Sequence, residues 1–107
     1  MPEHPVIVLT TWPADKDPAP FALALVEERL AACVNVLGEM QSTYRWAGQV
    51  EVATERQLVI KTVAGRVPAL EARLRALHPY DVPEFLVIST AGGSDAYLAW
   101  IRDSVPG

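Results

Sequence analysis

Cysteine and histidine are the scarcest reactive residues in this chain. Its 107 residues include one cysteine, Cys33, and two histidines, His4 and His78. A single cysteine excludes an intrachain disulfide, a four-thiolate iron–sulfur site and a Cys-x-x-Cys redox pair. With so few soft ligands, a closed metal site inside one chain would consist mostly of carboxylates, and a soft-metal site would need several copies of the chain.

Positive charge and long apolar runs are also lacking. Nine Lys and Arg residues against thirteen Asp and Glu give a formal charge of −4, the wrong sign for a phosphate backbone, so we expect no nucleic-acid partner. The longest apolar runs are four to six residues, whereas a membrane-spanning helix needs roughly 18, so we expect no membrane partner. The opening residues lack the basic and long apolar segments of a secretion signal, which predicts a cytoplasmic location.

Common catalytic signatures are absent as well. The sequence contains no Gly-x-x-x-x-Gly-Lys phosphate loop, no Gly-x-Ser-x-Gly nucleophile turn, no His-Glu-x-x-His zinc motif and no Rossmann fingerprint. We therefore expect a protein that is not an enzyme and that requires no cofactor.

Apolar residues, in contrast, are plentiful. They make up 50% of the chain, charged residues make up 21%, and the mean hydropathy is +0.16. A chain of this length is expected to bury about two thirds of its unfolded surface, which excludes intrinsic disorder. Residues 1–107 are predicted to form one domain.

The first third of the sequence predicts a strand, a helix and a second strand. Residues 6–11 are apolar and β-branched, which is typical of a buried strand in the middle of a sheet. Apolar residues then recur at helical spacing, and the helix is predicted to begin at Pro18 or Pro20 and to end near residues 31–32. Residues 33–37 are again β-branched and predict the second strand.

A long hairpin is predicted next. Residues 42–46 alternate with period two, Ala47-Gly48-Gln49 has the composition of a turn, and alternation resumes after it. A return strand over residues 49–63 would be roughly 50 Å long, whereas a domain of this size is only about 35 Å across. The hairpin tip should therefore extend beyond its own core.

The overhanging tip is expected to have one apolar face and one acidic face. The pattern places four residues on the apolar face, and it places Glu51 and Glu55 on a solvated face opposite. The four residues are Tyr44, Trp46, Val50 and Val52. An exposed ribbon of this kind needs a cover, and a second copy of the chain is the simplest one.

The second half of the sequence predicts a helix, a strand and a third helix. Residues 66–77 form an amphipathic helix that ends at His78-Pro79, residues 84–90 form an apolar strand, and Ser94 or Asp95 caps the last helix. The order β, α, β, β, α, β, α predicts a ferredoxin-like α+β sandwich, in which two helices cover one face of an antiparallel sheet and a C-terminal helix follows.

Cys33 and His78 are the candidate metal ligands. Cys33 lies in an apolar stretch without a basic neighbour, so it is either packed in the core, a soft-metal ligand, or a thiol that faces an oligomer axis. His78 lies between a helix and a proline, where an imidazole either caps the last carbonyls or contacts a metal or ligand.

A rigid polar segment and one lysine are the candidate binding residues. The segment 78–84 combines two prolines with Tyr80, Asp81 and Glu84, which suits a ligand site and equally suits a plain connection. Lys61 lies inside an apolar strand, where a lysine needs a partner carboxylate or an anionic ligand.

Six segments of the sequence, in order, resemble the CutA family of divalent-ion tolerance proteins. The resemblance extends from about Val6 to Ile101, and its most specific segment is His78-Pro79-Tyr80-x-Val82-Pro83-Glu84. The other five segments are Val8-Leu9-Thr10-Thr11, Leu30-Ala31-Ala32-Cys33-Val34-Asn35, Ser42-x-Tyr44-x-Trp46-x-Gly48, Ile60-Lys61-Thr62 and Tyr97-Leu98-x-Trp100.

This resemblance implies a ferredoxin-like subunit that forms a PII-like homotrimer, with each long hairpin pairing with its neighbour. It also implies a role in tolerance to copper and other divalent cations, with His78 as the one member of the family's soft ligand set present here. Three copies of Cys33 or of His78 near a three-fold axis would form the metal site. Thr10 and Leu77 stand where some members of the family carry a cysteine and a second histidine, so the ligand set in this chain is reduced.

The likeness to PII proteins implies an alternative function, a sensor or carrier that binds a small anionic metabolite between subunits. Four residues are candidates for that cleft. Lys61 would hold the anion, while Tyr80 and Glu84 would orient it. Trp46 would reach the cleft from the hairpin of a neighbouring subunit.

Overall fold

Four strands and three helices alternate along the chain in a computed structural model, which describes residues 1–106. The α+β class is confirmed, with all four strands in one antiparallel sheet. The elements are β1 (Pro5–Pro13), α1 (Ala19–Glu27), β2 (Cys33–Trp46), β3 (Gln49–Val63), a 3-10 turn (Ala64–Arg66), α2 (Val67–Leu77), β4 (Leu86–Ser89) and α3 (Asp95–Ser104).

The strand order in the sheet is β2-β3-β1-β4. β1 lies inside the sheet, as its apolar sequence predicts, and it pairs with β3 from Pro5↔Val63 to Pro13↔Glu55. β4 pairs with the other edge of β1, with Leu9 opposite Leu86. Because β1 alternates its side chains between two faces, each face of the sheet has its own set of apolar residues.

The helix-covered face holds the main core. Val8 and Trp12 of β1 and Leu58 and Ile60 of β3 lie on this face because an even number of positions separates the members of each pair along its strand. α1 contributes Phe21 and Leu25, and α2 contributes Leu70 and Leu74, at helical spacings of four. Six of these eight side chains are fully buried, so this layer is the main source of hydrophobic stabilisation in the single chain.

The opposite face of the sheet, here called the open face, carries a second set of apolar residues. It consists of Ile7, Leu9, Val59, Leu86 and Ile88. α3 covers only one end of it, where Ile101 packs with Val63. Leu86 and Ile88 remain 56% and 46% exposed, so a single chain leaves an apolar patch uncovered on this face.

The hairpin of β2 and β3 is long, and its return strand covers the predicted residues 49–63. Its turn has two residues rather than the three predicted, because Trp46 pairs with Gln49. Ala47 and Gly48 have φ angles of 52° and 79°, as a type I′ turn requires.

The shorter turn moves the register by one residue, and the predicted faces of the hairpin are therefore wrong. Tyr44 pairs with Glu51, whereas Val52 pairs with Thr43. Tyr44 and Trp46 thus share their side of the ribbon with the glutamates, and the two valines lie on the other side.

α1 ends earlier than the predicted residues 31–32. Arg29 has a φ of 57°, and the amides of Leu30 and Ala31 both donate to the carbonyl of Leu25, which closes the helix. The amide of Ala32 then donates to the Lys61 carbonyl of β3. Leu30 and Ala31 are buried although they lie outside the helix. Their apolar side chains continue the helical spacing in the sequence, and the predicted helix is therefore too long.

Candidate functional site

A groove of about 600 Å³ lies between the hairpin and the loop that joins α2 to β4. One wall consists of side chains from the strands, and the other consists of loop residues from the segment 78–84. The lining residues are Thr11, Met40, Ser42, Tyr44, Trp46, Glu55, Gln57, Pro79, Tyr80, Asp81, Val82 and Glu84.

Strand alternation explains the hairpin wall of the groove. Glu55 and Gln57 lie two apart on β3 and pair with Pro13 and Thr11 of β1, so they belong to the open face. Met40 pairs with Glu55 across the ribbon. The groove is therefore the polar continuation of the apolar open face toward the hairpin tip.

His78 fixes the loop wall to the sheet. It ends α2 with a ψ of 139°, the extended backbone that a following proline favours. Its Nε2 lies 2.7 Å from the Thr11 carbonyl, and its Nδ1 accepts the Tyr80 backbone N–H at 3.0 Å. Nδ1 therefore carries no proton, and Nε2–H donates to Thr11. The imidazole is buried edge-on against Trp12, with ring centroids 4.8 Å apart.

This environment keeps His78 neutral. Burial lowers the pKa of His78, while the hydrogen bond to Thr11 and the charge of Glu55 act in the opposite direction. Both ring nitrogens already have hydrogen-bond partners. A metal ion would have to displace one of these bonds, so His78 acts within this chain as a structural link between α2, β1 and the loop.

Glu55 and Tyr80 form the strongest polar contact across the groove. The Tyr80 hydroxyl donates to Glu55 Oε2 at 2.7 Å, and Glu55 is only 7% exposed. Burial raises the pKa of Tyr80 well above its ordinary value, and the hydrogen bond to Glu55 raises it further. Tyr80 therefore stays protonated and holds the carboxylate in place.

Gln57 positions the second carboxylate of the groove. Its Nε2 donates to the Thr10 carbonyl at 2.8 Å and to Glu84 Oε2 at 2.9 Å. Glu84 is thereby held against the sheet at the end of the loop. The result is two oriented carboxylates on the groove surface, each held by a neutral hydrogen-bond donor.

The structure brings together three of the four residues predicted for a ligand cleft. Trp46, Tyr80 and Glu84 line the same groove within a single chain. Lys61 lies elsewhere: it pairs with Ile7 and Cys33 near α3, and its Nζ is 5.7 Å from the centre of the Tyr97 ring. Lys61 is four positions from Gln57 on β3, which places Lys61 about 13 Å along the strand from the groove.

The two candidate metal ligands lie apart. Cys33 is half-buried at the start of β2, on the open face opposite Lys61. His78 is buried against Trp12, whose side chain belongs to the helix-covered face. Within residues 1–106, no three His, Cys, Asp or Glu side chains form a group that could hold a metal ion.

Sequence reasoning missed the role of Glu55. It was expected on a solvated strand face, but the structure buries it beneath Tyr80. A two-residue turn in place of the three-residue one would have placed Glu51 on the same side as Tyr44 and Trp46. The contact with Tyr80 joins residues 25 apart in sequence and has no local sequence signal.

Comparisons with known proteins agree with this fold. The family described as CutA1 divalent ion tolerance protein matches residues 6–104. The chain is 45% identical over 98 residues to the divalent-cation tolerance protein CutA of Thermus thermophilus. This match covers 92% of this chain and 95% of that protein.

Among the helices of residues 1–106, none has the length and apolar composition that a membrane span requires.

Two solved structures extend the comparison. The crystal structure of CutA from Xylella fastidiosa has a TM-score of 0.91 and 41% identity, and the match covers 96% of this chain and 99% of that one. A protein from Archaeoglobus fulgidus described as the periplasmic divalent cation tolerance protein CutA has a TM-score of 0.90 and 29% identity, with 95% and 99% covered.

Proposed function

The chain belongs to the CutA1 family of divalent ion tolerance proteins, and from this premise we propose that it acts in copper or other divalent-cation tolerance as a non-catalytic, metal-binding homotrimer. The observation that carries this proposal is the family match over residues 6–104. The family is described by tolerance to an ion and not by a reaction. The response to the metal would therefore depend on binding and assembly.

The open face supports the homotrimer. Its aliphatic side chains include Leu86 and Ile88, which stay about half exposed in a single chain. The long hairpin extends the molecule to 43 Å along one axis, against 27 and 23 Å along the others. The element order and the strand order β2-β3-β1-β4 agree with a ferredoxin-like subunit. In a PII-like trimer, neighbouring copies would cover the aliphatic part of the open face, and each hairpin would pair with its neighbour.

Metal binding in this proposal uses ligands from more than one copy of the chain. Residues 1–106 contain no ready group of three ligands, whereas symmetry would multiply a single ligand. Cys33 is the better candidate, because it is half-buried on the open face that assembly would cover. Thiolate is a soft ligand that favours Zn²⁺ and the reduced ion Cu(I). His78 would contribute only after it releases Thr11 or Tyr80.

A copper titration tests the metal function. Cu²⁺ is titrated anaerobically into reduced protein, and bound metal is counted by mass spectrometry. We expect a saturable site tighter than about 10 μM that Cys33→Ser removes and His78→Ala weakens. His4→Ala is the matched control, since the His4 imidazole bonds Ser89 and Thr90 at the β4 edge of the sheet, whereas Cys33 lies on β2 at the opposite edge. No saturable site, or an unchanged site in Cys33→Ser, would contradict this assignment.

The groove favours a second candidate function, a PII-like sensor or carrier for a small molecule. Its volume of about 600 Å³ falls in the range of small-molecule sites. Its wall combines aromatic side chains with carboxylates that are held in fixed positions. A thermal-shift screen of metabolites tests this function, with hits required to lose their effect in Trp46→Ala. A screen in which no hit depends on Trp46 would count against it.

The cytoplasmic location stays a prediction. The similar protein from Archaeoglobus fulgidus is described as periplasmic, so the family is compatible with more than one compartment. Fractionation of the native cell, followed by detection of the untagged protein, decides between them.

A further inference from the structure

Within residues 1–106 of one chain, no basic side chain in the groove balances its negative charge. Its lining includes the carboxylates of Glu55, Asp81 and Glu84, and it contains no Lys, Arg or His. Arg56 lies next to Glu55 in sequence, but its side chain bonds the Leu37 carbonyl and Glu39. The surface of the groove therefore attracts cations and repels anions.

Glu55 is the most restricted of these carboxylates. It is 7% exposed, and Tyr80 is its only hydrogen-bond donor within residues 1–106. The ion pairs within residues 1–106 join Arg56 to Glu39 and Arg73 to Glu28, and neither includes Glu55. Burying a carboxylate beside a single neutral donor is unfavourable, and a bound cation would offset that cost.

Aromatic rings stand beside these carboxylates. Tyr44 and Trp46 lie two apart on β2, so both point to the groove side of the ribbon, and Tyr80 lies on the opposite wall. Tyr44 and Trp46 are 43% and 52% exposed. Ring faces attract cations through their quadrupole, and the attraction increases when the ion is also shielded from water.

The same geometry disfavours the two other ligand classes. A small anion would need a basic side chain, and Lys61 lies about 13 Å along β3 from Gln57, the nearest groove residue on that strand. A Ca²⁺ ion needs about 6–8 converging oxygen ligands. No three His, Cys, Asp or Glu side chains within residues 1–106 converge in this way.

From these observations we propose that the groove binds a small organic cation, a molecule in which an ammonium group is attached to an apolar or aromatic body. Glu55 and Glu84 would attract the ammonium group, and Trp46 and Tyr80 would contact the body. This inference rests on the second proposed function, ligand binding in the groove, and gives that ligand its chemical class. The sequence predicts an anionic ligand for this cleft, whereas this inference assigns a cationic one.

Three probes of equal size and different charge test the inference. Benzylamine is cationic at neutral pH, benzyl alcohol is neutral and benzoate is anionic. Each is titrated into the intact assembled protein, and binding is followed by two-dimensional NMR shifts of Trp46, Tyr80 and their neighbours. We expect benzylamine to bind about tenfold more tightly than either other probe, and high salt to reduce the difference.

Matched variants identify the residues responsible. Glu84→Gln preserves the shape of the side chain and removes its charge, and it is expected to remove most of the preference for benzylamine. Trp46→Leu is expected to weaken benzylamine several-fold. Glu39→Gln is the control, because Glu39 lies on the same hairpin but pairs with Arg56 outside the groove.

The failure of this inference differs from the failure of the underlying function. Benzoate that binds as tightly as benzylamine, with shifts at Trp46 and Tyr80, would overturn the cationic class and leave a small-molecule groove. Probes that shift no groove residue at millimolar concentration would overturn both. A preference for benzylamine that survives in Glu84→Gln and in Trp46→Leu would overturn the assignment to these residues.

Discussion

Tyr80 and Glu55 are the pair on which the shape of the groove depends. Removing the Tyr80 hydroxyl would leave a buried carboxylate without its donor, and such a loss costs about 1–3 kcal/mol. We expect Tyr80→Phe to lower the melting temperature at fixed protein concentration. Tyr44→Phe is the matched control: its ring also lines the groove but is 43% exposed, and it is expected to change little. Equal losses in the two variants would contradict the role of the hydrogen bond.

His78 predicts how stability depends on pH. Burial holds the pKa of His78 below its ordinary value of about 6.5, so the unfolded chain binds this proton more readily than the folded one. The contribution of His78 to stability is therefore complete above that ordinary value and is lost as the pH falls below it.

Melting temperatures measured from about pH 8 to about pH 5.5 in the presence of a chelator check this dependence. We expect the stability of the wild type to fall over the acidic half of this range, and we expect the fall to be smaller in His78→Gln. Parallel curves for the two proteins would show that His78 is not the titrating group.

Some residues of the candidate site can be identified from the sequence alone. Tyr80 and Glu84 stand in a distinctive segment with two prolines, and Trp46 stands in an alternating strand, so all three could be found locally. Lys61 was assigned to the same cleft because a buried-strand lysine needs a partner, but its neighbour is Tyr97. Glu55 was missed because its position depends on strand register and its partner is distant in sequence.

The hairpin turn sets the register of both long strands. Gly48 has a φ of 79°, where any side chain is strained, although nothing lies within 4 Å of the position of an added Cβ. Gly48→Ala is expected to destabilise the protein by about 1–2 kcal/mol through backbone strain alone.

Gly38→Ala provides the control for this substitution. Gly38 has equal space around it and no positive φ, so the same change there is expected to be neutral or slightly stabilising. Thermal melting of the two variants gives the comparison. A Gly48→Ala protein as stable as Gly38→Ala would contradict the type I′ turn.

Element types and order followed from hydrophobic periodicity, whereas two boundaries did not. α1 was predicted to continue to residues 31–32 because Leu30 and Ala31 are buried, but they reach the core through a left-handed Arg29. The hairpin turn was predicted one residue too long, since Ala47-Gly48-Gln49 is compatible with both lengths. In each case residues with positive φ, Arg29 in one and Ala47 and Gly48 in the other, set the boundary against the side-chain pattern.

We expect copies of the chain to assemble through the open face. Leu86 is 56% exposed on this face, and a buried aspartate there would be unfavourable in any complex. We expect Leu86→Asp to give single chains in light scattering, with the circular dichroism spectrum of the folded wild type. Leu23→Asp is the control, because Leu23 is 59% exposed but lies on α1, away from this face. Single chains from both variants, or from neither, would contradict the assignment.

Native mass spectrometry reports at once whether the chain forms the proposed homotrimer and whether that homotrimer binds a divalent cation. Untagged protein is purified without chelator and compared with Cys33→Ser. We predict a complex with three times the chain mass of 11.7 kDa that retains a metal ion, and a Cys33→Ser trimer that lacks it. A mass of a single chain, or a wild-type trimer that takes up no copper when it is offered, would contradict the account.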